Sequence, residues 1–290
     1  MQMLNRSRDM GRSNTKMRRA IFCLVWLLPL LGSAQQDAQY SQYAFNTLLI
    51  NPAYAGSRES MSLTALYRLQ WAGFEGAPRT ATFSMHAPSA NLRHGFGLSF
   101  LHDEVGPTAS DGLNLAYAYR IPVSTHGWLS LGLQGELSNY RVGYGKVRLD
   151  QPIDNTLGTA TVNRMLPNAG TGIWYNDRKF FVGLSVPRLI PNKLSPVPDA
   201  GLSRRALHGF GMIGYVIDFG KSLKFRPSVM AKYVPNTPLS LDLNAAIFLK
   251  ERVWLGASYR TDKSWIFMTQ IQFSPALRMG YSYDLASSNL

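Results

Sequence analysis

With 290 residues, 46% hydrophobic and 12% aromatic but only 16% charged, the chain offers water less polar surface than a soluble protein, where charged residues make up about a quarter. Its formal charge of +13 and pI ≈ 10.0 would ordinarily direct attention to nucleic acid, but the basic residues are scattered and an export signal comes first, which counts against that partner. The single cysteine, Cys23, sits inside that signal, so disulfides, thiolate metal sites and cysteine nucleophiles are excluded from the mature chain.

From Met17 the sequence MRRAIFCLVWLLPLLGSA reads as a signal peptide: a basic start, an apolar core from Ile21 to Leu31, then small residues before a cleavage expected between Ala34 and Gln35. The core is too short, and too interrupted by Pro29, for the ~20 apolar residues of a spanning helix. Met17 stands directly before Arg18 and Arg19, so residues 1–16 are a candidate misassigned start. Removal of 1–34 leaves 24 basic and 16 acidic residues, a net charge of +8.

Residues 35–58 begin QQDAQYSQYAFNTLLINPAYAG, polar and aromatic without a sustained helical or strand period. Asn51-Pro52 predicts a turn, and Gly56 relaxes the chain before the first strand. We expect this segment to fold into the lumen or along the periplasmic rim; a frayed periplasmic tail is the alternative.

From residue 61 to 285 period-two alternation dominates. MSLTALYRLQW sets Met61, Leu63, Tyr67, Leu69 and Trp71 against Ser62, Thr64, Arg68 and Gln70; SLDLNAAIFLK sets Leu239, Leu241, Leu243, Ile247 and Leu249 against Ser240, Asp242, Asn244 and Lys250. Such runs of about ten residues match a tilted strand crossing a bilayer. Tight connections at 176–179, 219–222 and 250–252 alternate with long ones at 140–166 and 187–204, the short-rim, long-rim pattern of an outer-membrane barrel. A soluble sandwich also alternates, but its outer face would be the polar one. Here Trp71, Trp128, Tyr233 and Tyr259 stand near strand ends as expected interface girdles. The prediction is an all-β, antiparallel transmembrane barrel of about 13–14 strands over residues 59–290.

His86, His94 and His102 recur at eight-residue intervals, a spacing that does not converge three ligands. No G-x-S-x-G elbow, phosphate loop or dinucleotide fingerprint occurs. We therefore expect no catalytic residues, metal or cofactor. Alternation assigns Arg68, Arg120, Lys224, Arg226, Lys232, Arg260 and Arg278 mainly to the polar face, with Glu136, Asp242 and Asp284 as opposing acids. Lumenal ion pairing is one reading; a cationic interior that holds an acidic segment or passes anions is the other.

Taken together, Gln42-Tyr43, Asn51-Pro52-Ala53-Tyr54-Ala55-Gly56, Tyr67-Arg68 with Gln70-Trp71, Pro78-Arg79-Thr80, Gly95-Phe96-Gly97 and Gly280-Tyr281-Ser282-Tyr283-Asp284 resemble the PorP/SprF-type outer-membrane proteins of the type IX secretion system. The resemblance covers nearly the whole mature chain. It implies an outer-membrane location in a Gram-negative, Bacteroidota-type cell and a non-enzymatic accessory that helps export or anchor surface proteins such as gliding adhesins. The implied partners are outer-membrane lipid, the secreted adhesin and other secretion components. The motif residues Tyr43, Asn51, Pro52, Tyr54 and Gly56 become the expected plug. A channel or transporter for small anionic or hydrophobic solutes is the alternative function.

About thirteen strands can be counted, whereas a single-chain bacterial barrel wants an even number. The resembling family continues past its GYSYD-like run into one more amphipathic strand, so the expectation is a barrel lacking its closing strand, with an open edge. Alternatively 35–50, or part of 140–166, supplies the missing strand.

Overall fold

The computed structural model describes residues 43, 45–71, 73–143, 161–193, 206–220 and 222–286. The predicted signal peptide, with its Ala34–Gln35 junction, and the first residues after it lie outside the described residues.

One antiparallel meander accounts for nearly everything else. Its strands are β1 (Ser62–Leu69), β2 (Arg79–Pro88), β3 (His94–Val105), β4 (Thr108–Pro122), β5 (Trp128–Gly143), β6 (Thr161–Asn176), β7 (Phe180–Val186), β8 (Gly209–Tyr215), β9 (Ile217–Phe219), β10 (Leu223–Tyr233), β11 (Ser240–Leu249), β12 (Val253–Arg260), β13 (Ser264–Gln272) and β14 (Arg278–Ala286). Each pairs with its sequence neighbour, except that β8 and β9 both pair with β10. Those two share one register, Gly214 facing Ser228 and Ile217 facing Phe225. The interruption falls opposite Pro227, which has no N–H to give the ladder. The fourteen strands among the described residues therefore make thirteen passes, matching the number read from the alternation.

The candidate extra strands resolve differently. Residues 47–49 and 52–54 form short 3₁₀ turns, while the described ends of 140–166 lengthen β5 and β6 rather than adding a strand.

An odd number of passes makes β1 and β14 run in the same direction. Arg68, near the end of β1, meets Asp284, near the end of β14, at 2.7 Å, as two edges ending on the same rim require. The backbone ladder runs from β1 to β14, and this ion pair links its two edges.

Alternation now has a geometric meaning. On β4, Leu113, Leu115, Tyr117 and Tyr119 are exposed, while Ser110, Gly112, Ala116, Ala118 and Arg120 are buried. On β2, Thr80, Thr82, Ser84 and His86 point inward. The outward set continues around the sheet as an apolar band far larger than the few hundred Å² a soluble monomer exposes. At the long-loop end of β3–β5 the band stops: outward Asp111 binds His102 at 2.6 Å and also pairs with Arg141. Strands β4, β5 and β6 run 15, 16 and 16 residues, beyond the 9–11 that a bilayer needs, and this polar cluster lies on the excess.

Tyr259 and Trp265 pack at 4.9 Å at one edge of the band, as a girdle would. Trp128 does not join them. It falls on the inward parity of β5, with the Arg120 guanidinium 4.7 Å from its ring centroid, because an interior cation needs an aromatic face more than the band needs another indole.

Candidate functional site

The interior of the sheet is occupied by the chain's own N-terminal segment. Asn51 caps the Pro52–Tyr54 turn: its Oδ1 accepts from Ala53 N at 3.0 Å, and proline takes the first helical position, where its missing N–H costs nothing. Asn51 Nδ2 donates to the carbonyls of Ile173 at 3.0 Å and Leu184 at 3.4 Å, reaching β6 and β7. Ser185 Oγ donates to Ile50 O at 2.6 Å, and Ser84 Oγ to Asn46 Oδ1 at 2.8 Å. Asn51→Ala removes the cap and both wall bonds together. It should lower stability by about 1–2 kcal/mol, read as a reduced urea midpoint of the detergent-folded protein, while Asn51→Asp should keep the cap and lose only the wall bonds.

Two wall glycines receive the motif backbone. A Cβ on Gly132 would lie 2.1 Å from Ala53 N, and one on Gly95 would lie 2.0 Å from Ala55 O. Gly56, at φ +68°, makes the exit bend that an L side chain resists, and its N–H donates to His86 Nδ1 at 3.1 Å. The Tyr54 ring packs edge-on against both His86 and Trp174. Tyr43, Asn51, Pro52, Tyr54 and Gly56 are thus brought together as one lumenal body seated on β2, β3 and β5–β7.

The opposite wall is apolar where alternation predicted a polar lumen. Phe45 packs against Trp254 at 4.7 Å, beside Ala246, Ile266 and Met268; Tyr43 and Ile50 pack on Met230. These inward residues share a face with Ser258, Arg260 and Asp242, and that mixture was the available signal: a water-filled lumen has no use for Trp254 or Ile266. Tyr43 also accepts from Asn244 Nδ2 at 3.0 Å. Burial, then the nearby Asp242 charge, pushes its phenol far above the usual range, so it acts as a neutral hydroxyl.

A second inward element was not legible. Residues 187–192, at the start of the long connection after β7, fold onto the wall: Gln134 Nε2 donates to Pro187 O at 2.8 Å, Arg188 Nε to Glu136 Oε2 at 2.6 Å, and Asn168 Nδ2 to Ile190 O at 2.8 Å.

The seven predicted cations do not converge. Arg260 is buried and bidentate on Asp242, at 2.8 and 2.9 Å. Arg68 pairs with Asp284, and Lys224 with Glu251 at 3.0 Å on the short-turn rim. Arg120 donates to Leu92 O at 3.1 Å. Arg226 lies 5.4 Å from the Trp254 ring centroid. Lys232 lines a lumenal cavity with Tyr43, Asp242 and Arg260, and Arg278 is exposed and bonded to Gln270 and Gln272. The histidines separate too: His86 faces inward, whereas His94 and His102 face outward onto Tyr117 and Asp111.

No curated protein matches the chain. A family comparison does: residues 32–290 match the type IX secretion system membrane protein PorP/SprF. The match spans the plug motif, the thirteen-pass sheet and the final Tyr-rich strand, and on that extent the chain belongs to the PorP/SprF family of type IX secretion system membrane proteins.

Proposed function

We propose that the chain is a stoppered outer-membrane scaffold: a non-enzymatic accessory that helps export or anchor a secreted surface protein such as a gliding adhesin. The observation that carries this reading is the occupied lumen, where residues 43 and 45–58 contact both walls through hydrogen bonds, glycine seats and aromatic packing. A barrel filled by its own chain is built to present surfaces rather than to conduct. On this reading lipid bathes the apolar band, the long-loop rim with the polar extensions of β4–β6 faces the exported partner, and the short-turn rim faces other components of the secretion system. Residues 1–34 serve as the cleaved export signal, and no cofactor is required.

Planar-bilayer conductance combined with surface display of the adhesin tests this. The native protein should be nearly silent in the bilayer. Deletion of 35–50 should open a conducting state and abolish display. Anion-selective conductance from the native protein would favour the solute-channel alternative, and a deletion that changes neither measurement would overturn the plug.

A further inference from the structure

Beneath the plug, toward the short-turn rim, lies a cavity of ≈ 180 Å³. The plug contributes Tyr54, Ser57 and Arg58 to it, and the wall contributes Trp174, Asn176 and Arg226. Four polar atoms of these residues are buried without a hydrogen-bond partner among the described residues: Ser57 Oγ, Trp174 Nε1, Asn176 Oδ1 and Arg226 Nε. Such orphans are costly, and four on one cavity require a common cause. Three of the four can donate. An amide flip would turn Asn176 into a fourth donor.

The charge balance has the same sign. No carboxylate pairs with Arg58, Arg178 or Arg226 among the described residues, and all three line the cavity. Lys179 is already matched by Asp218 at 3.2 Å. The acid at the cavity, Asp177, is spent on its own turn: its Oδ1 accepts from Lys179 N at 2.7 Å and Phe180 N at 2.8 Å, and those bonds hold its carboxyl below the usual range. A half-buried guanidinium without a counter-charge is unfavourable unless an anion completes it. Phe180, Phe181, Met212 and Val216 give the cavity an apolar side, with Trp174 only 4% exposed and stacked on Phe181 at 5.5 Å.

We propose that this cavity is an oxyanion site that takes a carboxylate carried on an apolar body. Arg226 Nε, the Trp174 indole N–H and the Ser57 hydroxyl would hold the oxygens, Arg58 would supply charge from the rim, and the rings would cover the body. The inference goes beyond the secretion role and does not depend on it.

The test uses the full mature chain in detergent micelles, titrated with sodium phenylacetate at constant ionic strength and followed by tryptophan fluorescence and melting temperature. A saturable response is expected, weakened about tenfold or more by Arg226→Gln, which removes a charge-assisted contact, and weakened also by Arg58→Gln, which removes the rim charge. Arg58 is exposed, so its variant keeps the test alive should Arg226→Gln fail to fold. Trp174→Phe should weaken binding and remove most of the fluorescence change while the melting shift persists at higher ligand. Inorganic phosphate should bind more weakly than phenylacetate; tighter phosphate binding overturns the carboxylate assignment. A response that never saturates, or that ignores both arginine variants, overturns the site.

Discussion

Gly132→Val should unseat the plug. The added Cβ would stand 2.1 Å from Ala53 N and 2.4 Å from Ala53 Cα, and the atoms nearest it are all plug backbone, so no side-chain rotation relieves the clash. β5 cannot retreat, being paired with β4 from Trp128 to Val142 and with β6 from Trp128 to Gly143. Ala53 cannot retreat without breaking the Asn51 cap and its bonds to β6 and β7. Overpacking against rigid neighbours costs about 3 kcal/mol or more, enough to reduce the seated population roughly a hundredfold. The expected result is fluctuating conductance in planar bilayers and rapid protease cleavage between residues 43 and 58, with the barrel itself still resisting protease. Gly135→Val, three residues along the same strand, meets nothing within 4 Å and should leave both measurements unchanged. If Gly132→Val is as silent and as protected as the native protein, the plug is not held by its glycine seats.

Alternation made half of this architecture readable and hid the other half for a single reason. A period of two says which residues share a face, and so Met61, Leu63, Tyr67, Leu69 and Trp71 could be assigned outward from sequence alone. It cannot say what lies across the lumen. Tyr43 meets Asn244 across 201 positions of chain, and Asn51 meets Leu184 across 133; no local pattern encodes such pairs. Gly95 and Gly132 read as small strand residues until the plug backbone is placed against them. Trp128 reads as a girdle residue from its place near a strand end, whereas its partner, Arg120, comes from the adjacent strand. The thirteen passes were countable, since each has its own alternating run. The turn at Asn51-Pro52 was legible as well, because proline and asparagine act locally.

The second large effect concerns the Asp242–Arg260 pair, and it measures how dry the lumen is. Asp242 is 2% exposed and Arg260 6%, joined by two bonds at 2.8 and 2.9 Å beside Tyr43. In a water-filled channel, truncating one partner would cost about 1 kcal/mol or less, as at protein surfaces. In a stoppered interior, Asp242→Ala strands a guanidinium against the plug and should cost about 3–5 kcal/mol, seen as a large fall in the urea midpoint of the detergent-folded protein. The double variant Asp242→Leu with Arg260→Met should recover most of that loss, because it removes the uncompensated charge and fills its volume with apolar groups. Asp284→Asn provides the contrast. Its partner, Arg68, is 21% exposed by side chain at the seam between the edge strands, so water can reach its guanidinium and the loss should be clearly smaller. Equal, small losses at both sites would mean that water reaches Arg260 as readily as Arg68, and a wet lumen is one that the plug does not seal.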